Sequence, residues 1–116
     1  MKQSNIRNKT FQFAINSVIL FQYLTSEKKE QILSKQLLRC STSVGAMIRE
    51  AEYAESKADF IHKMSIAQKE INESLYWLEL LYKTKYLVAF EFQNYSNEAT
   101  EILKIITSIL KKLKGV

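Results

Sequence analysis

No proline and only two glycines interrupt this 116-residue chain. Proline ends helices and glycine weakens them, so their scarcity favours long helices joined by short connections. With Gly45 and Gly115 alone, no glycine-rich loop can be built to cradle a phosphate or dinucleotide. A single cysteine, Cys40, excludes an intrachain disulfide, and no signal-peptide pattern opens the sequence, so a reducing, cytoplasmic setting is expected. A single histidine, His62, excludes a multi-histidine metal site and the HExxH pattern. The longest apolar-rich run, residues 11–24, contains Gln12, Asn16, Ser17 and Gln22. Crossing a bilayer takes about 20 apolar residues, so no membrane partner is expected.

What is present is ordinary in amount and unusual in arrangement. Hydrophobic residues at 47% and charged residues at 25% suit one globular domain over 1–116. A chain of this size buries roughly two thirds of its unfolded surface and needs no staple. Net charge is +5 with a pI near 9.3, compatible with RNA or DNA as partner and equally with lysine serving solubility alone.

Phe11, Ala14, Ile15, Val18 and Phe21 recur at three- and four-residue steps, which predicts a first helix over about 5–24 with that face inward. Thr25 and Ser26 are N-cap residue types, and Glu27 and Glu30 behind them sit where a helix dipole favours negative charge. A second helix is therefore expected over about 27–54, its seam formed by Leu33, Leu37, Cys40, Val44, Met47, Ile48 and Ala51. Gly45 lies inside it, at a cost of about 1 kcal/mol relative to alanine. Close approach of a neighbouring helix would compensate; a local bend is the alternative. Ser56, three residues before Asp59 and just ahead of an apolar run, is a capping-box variant that starts a third helix over about 57–85. Phe60, Met64, Ala67, Ile71, Leu75, Leu78 and Leu81 face inward on it. A fourth helix over about 92–113 turns Ala99, Ile102, Leu103, Ile106, Ile109, Leu110 and Leu113 inward. It ends in Lys111, Lys112, Lys114 and Gly115, cations suited to the negative end of a helix dipole. The fold expected is all-α, an antiparallel up-down-up-down four-helix bundle; the alternative is a helical hairpin that completes its core only in an oligomer.

Catalytic chemistry finds little support in these residues. Cys40 falls on the core seam, where a nucleophile is inaccessible. Glu70 and Glu73 form an i, i+3 carboxylate pair without an apolar pocket or further partner, so a surface or interface pair is the simpler reading. Asp59 and His62 have the spacing of half a di-iron motif, but no second half exists and His62 points away from the core. No metal, cofactor or catalytic residue is expected.

Two surfaces stand out instead. At about 100° per residue, Lys28, Lys35, Arg39 and Arg49 share a sector of about 80° opposite the core seam, with Thr42 and Ala46 between them. With Lys111, Lys112 and Lys114 they are the candidate nucleic-acid contacts; a merely solvated face is the competing reading. On the third helix Ile66, Trp77 and Leu80 project away from the seam, an apolar surplus that suggests an oligomer contact.

The block from Gln36 to Leu81 also resembles a family. Gln36, Leu37, Arg39, Ser43, Val44, Ile48, Glu50 and Ala51 match the run Q-L-x-R-x-x-x-S-(I/V)-x-x-N-I-x-E-(G/A). That run belongs to the four-helix-bundle proteins encoded in intervening sequences of bacterial 23S rRNA genes. Asp59 and Phe60 match the opening of the family's third helix, and the stretch from Glu73 to Leu81 is similar as well. Met47 departs from the pattern, standing where the family usually has asparagine. The resemblance implies a homo-oligomer, commonly a pentamer around a central channel, with no established enzymatic activity. A similar pentameric bundle is the accessory protein of diversity-generating retroelements, which binds reverse transcriptase and nucleic acid. Two functions follow as expectations: an oligomer that binds nucleic acid or a ribonucleoprotein through basic faces, or a protein-interaction scaffold with no nucleic-acid role.

Overall fold

The computed structural model describes residues 2–115, with side chains from residue 5 onward. Four helices run α1 Lys2–Ser26, α2 Ile32–Ala51, α3 Lys57–Lys83 and α4 Ala89–Lys114, joined through residues 27–31, 52–56 and 84–88. Among the described residues there is no strand. The helices pack as an antiparallel four-helix bundle of 44 × 23 × 22 Å. Each helix contacts the next in sequence, and α4 returns to α1 across the loosest seam of the four. Among the described residues no helix is long and apolar enough to cross a membrane.

The inward face of α1 differs from the expected one. Ile6, Thr10, Phe13, Ser17, Leu20 and Leu24 are buried, at alternating steps of four and three. Phe11, Ile15 and Val18 lie outside, with Phe11 51% exposed and Phe13 1%. Two hydroxyls disguise the true seam. Thr10 Oγ1 donates to the Ile6 carbonyl at 2.8 Å and Ser17 Oγ to the Phe13 carbonyl at 2.8 Å, so both are satisfied within their own helix and can be buried. On α2, α3 and α4 the expected seams are close to those observed, with Leu33, Met47, Phe60, Leu75, Leu103 and Ile109 half-buried at their margins.

Gly45 lies where α2 meets α1. A Cβ there would stand 3.3 Å from the Thr10 carbonyl oxygen, tighter than ordinary contact, so glycine permits the close approach.

Helix boundaries shift for local reasons. The expected second helix over 27–54 is shortened at both ends; at its start Lys29 takes a left-handed conformation at φ 56° and Gln31 is the N-cap residue. Thr25 and Ser26 belong to the last turn of α1 and do not cap α2. The Glu30 carboxylate, nearly buried, instead accepts from the Ile32, Leu33 and Ser34 amides at 3.0, 2.9 and 2.8 Å. At the other end, the Tyr53 and Ala54 amides turn back to the Glu50 and Ala51 carbonyls and end the helix. Three amide donors on one carboxylate make Glu30→Ala a costly change for an N-terminal cap. It should lower unfolding stability by about 2 kcal/mol, read as a shifted midpoint in urea with an unchanged slope.

Ser56 caps α3, its Oγ accepting from the Asp59 amide at 3.1 Å, while Asp59 accepts from the Glu55 amide at 3.1 Å. α3 ends at Lys83, two residues before its expected end, with Lys85 left-handed at φ 72°. α4 begins at Ala89, earlier than the expected 92, because Val88 is extended and its amide donates to Glu91 Oε1 at 3.1 Å. Gly115 closes α4 in the left-handed conformation, its amide donating to the Lys111 carbonyl.

Candidate nucleic-acid interface

Of the cations expected to form one stripe, Lys35, Arg39 and Arg49 are exposed along α2 and Lys28 is not on that helix. Lys28 lies in the connection before it, with Nζ 5.9 Å from the centre of the Tyr23 ring. Lys35 is exposed on the first turn of α2. Arg39 is half-exposed and paired across to α3, with Nη1 3.4 Å from Glu70 and Nη2 on Glu73. Glu73 also accepts from the Trp77 indole N–H at 2.9 Å. That hydrogen bond first, and the one from Arg39 second, hold the Glu73 carboxyl below the usual carboxylate range. Glu70 and Glu73 thus clamp α3 to α2. Arg49 stacks over the Phe11 ring of α1, 4.7 Å from its centre.

Cys40, Asp59 and His62 fall in three different settings. Cys40 is fully buried beside Ser74, whose Oγ donates to its Sγ at 3.3 Å, and burial pushes the thiol up to about 11. At neutral pH it is a protonated core residue. Asp59 is occupied as a cap and His62 is exposed. Among the described residues no group of three histidine, cysteine or acidic side chains is placed to hold a metal.

α4 carries a polarised outer surface. Its N-terminal half borders the loose seam with α1, a cleft lined by Asn16, Asn94, Tyr95, Asn97, Glu98 and Glu101. There Asn16 Nδ2 donates to Glu98 at 3.1 Å, and burial raises the Glu98 carboxyl above its ordinary value. Glu101 pairs with Lys9 at 3.0 Å. Beyond Glu101 the sign reverses. Lys104, Ser108, Lys111 and Lys112 fall within about 100° of one another around the axis, forming a row along the outer face. Surface depressions border this row on both sides. One of about 300 Å³ is lined by Asn5, Lys104, Ile105, Ser108, Ile109 and Lys112. The other, of about 520 Å³, is lined by Leu103, Lys104, Thr107, Ser108, Lys111 and Lys112. Among the described residues that line either one, there is no carboxylate. Lys114 is exposed one turn further on.

Lys104 is the member that sequence reading missed. Its signal was the i, i+7, i+8 spacing to Lys111 and Lys112, which a search for consecutive lysines passes over. The dipole of α4 accounts for cations in the last turn, but Lys104 lies about 15 Å from the end of the helix, beyond that effect.

The apolar surplus is also distributed differently from expectation. Ile66, Trp77 and Leu80 are half-buried, with Trp77 packed against the core and edge-on to Tyr76. The larger exposed apolar face is on α1, where Phe11, Ile15, Val18, Ile19 and Tyr23 line the outside and Ile19 is 55% exposed. Residues 10–26 contain no charged side chain, a sequence signal of a helix apolar on more than one face.

The family model for the 23S rRNA-intervening sequence protein matches residues 2–108. The chain is similar to a solved structure from Bacteroides thetaiotaomicron VPI-5482, a protein of unknown function from the S23 ribosomal protein family. The two are 49% identical, with a TM-score of 0.94, over 96% of this chain and 99% of the other. No curated protein matches the sequence. Lys104 lies within the span of the family match, whereas Lys111, Lys112 and Lys114 lie beyond it.

Proposed function

The chain belongs to the 23S rRNA-intervening sequence protein family, and from that premise we propose a non-enzymatic, self-associating bundle that binds nucleic acid through the lysine row of α4. One observation carries the reading: Lys104 and Lys111 lie in line on an exposed helix face, and among the described residues that line the flanking depressions there is no carboxylate. Such a face attracts phosphate. Association would multiply it, since each copy adds one row. The exposed apolar face of α1 supports association, and the pentamer implied by the family resemblance is the assembly we assign. The reducing cytoplasm is the compartment proposed for it.

That same α1 face favours a second reading, a protein-interaction scaffold whose cations serve only solubility. Light scattering of the protein with and without an RNA oligonucleotide, across a salt series, separates the two. Nucleic-acid binding predicts RNA-dependent mass at low salt and an affinity that falls linearly with salt on logarithmic axes, with a slope of about −0.7 for each phosphate of a single strand. Assembly without RNA uptake at any salt would leave the scaffold.

A further inference from the structure

We propose that the lysine row of α4 is a ridge built for a single strand of nucleic acid, with unstacked bases lodging in the two depressions beside it. The inference rests on the nucleic-acid reading above and adds the class of strand and the mode of contact. Lys104, Ser108 and Lys112 line both depressions, so cations and a hydroxyl stand on the ridge between them. The floors are apolar on both sides: Ile105 and Ile109 on one, Leu103 on the other. Thr107 adds a second hydroxyl beside Leu103.

This alternation of charge, hydroxyl and apolar floor matches the alternation of a single strand. Phosphates need cations and amide or hydroxyl donors, which the ridge supplies. An exposed base needs an apolar surface and a polar edge, which Ile105, Ile109 and Asn5 supply in one depression and Leu103 and Thr107 in the other. A duplex keeps its base faces stacked inside and offers only backbone and groove edges, so the apolar floors would go unused. Lys104 and Lys111 are about 10 Å apart along the helix, far enough to hold separate phosphates. Glu101, the nearest acidic group on α4, is paired with Lys9.

Fluorescence anisotropy with a labelled single-stranded RNA and with its duplex, over a salt series, tests this on the full chain. The expected result is at least about ten-fold preference for the single strand at low salt. Lys104→Gln with Lys111→Gln should weaken that binding and make the salt slope shallower by about 1.4, two contacts at about 0.7 each. Ile105→Gln should leave the slope intact and erase the preference. All three positions are exposed or half-buried on the outer face, and circular dichroism would verify that the variants stay folded. Equal affinity for strand and duplex would overturn the inference while leaving the proposed function standing. Undiminished binding by the double lysine variant would overturn the assignment to α4. No binding of either RNA would overturn the proposed function itself, and uptake by anionic lipid vesicles in its place would assign the ridge to a membrane surface.

Discussion

Phe13→Ala should destabilise the bundle by about 4 kcal/mol, whereas Phe11→Ala, two residues away, should cost about 1 kcal/mol or less. Phe13 is buried where α1 meets the core, and truncating it leaves a cavity that rigid neighbouring helices fill poorly. Phe11 sits on the outside with only the Arg49 guanidinium over its ring, a contact worth about 0.5–1 kcal/mol at an exposed site. Urea denaturation of the two variants reads the difference directly. The reverse order would mean that α1 is rotated by half a turn from the register described, with its charge-free outer face buried.

Under the proposed self-association, replacing Ile15 and Ile19 together by aspartate should yield monomers while leaving the monomer fold intact. Both side chains are exposed on the α1 face that lacks charge, so the substitution places two carboxylates in any contact made there. Buried unpaired charge costs far more than an interface of ordinary size can absorb, whereas on a free surface the same change stays within about 1 kcal/mol. Analytical ultracentrifugation of the variant beside Trp77→Ala separates the two candidate faces. Trp77 is half-buried and donates to Glu73, so its loss should lower stability more than assembly. Dissociation by Trp77→Ala alone would return the contact to α3, and a monomeric parent protein would remove self-association from the proposed function.

The candidate site was legible to different depths along the chain. Lys111, Lys112 and Lys114 were found because they are consecutive or nearly so at a helix end, and Lys104 escaped because its relation to them exists only around a helix of known phase. Arg39 looked free on a helical wheel and is not. Its partners Glu70 and Glu73 lie on another helix, and no spacing within α2 can announce them. Lys28 was grouped with the stripe by extending α2 through residues 27–31, where the side chain of Glu30 in fact substitutes for a helical turn.

By itself the sequence determined the four helices, their order and the inward faces of α2, α3 and α4, because an uninterrupted 3.6-residue apolar rhythm has one way to be buried. It also determined the cap at Ser56, which depends on residues near in sequence, and it marked Gly45 for either a close approach or a bend. Only the tertiary structure decided which face of α1 is inside. Both faces are apolar enough to bury, and the choice falls to hydroxyls that bond to their own helix and to the neighbours they then meet. The structure likewise decided which cations remain available to a partner, because Coulomb pairing depends on distance in space, and the carboxylates that engage Arg39 come from a different helix.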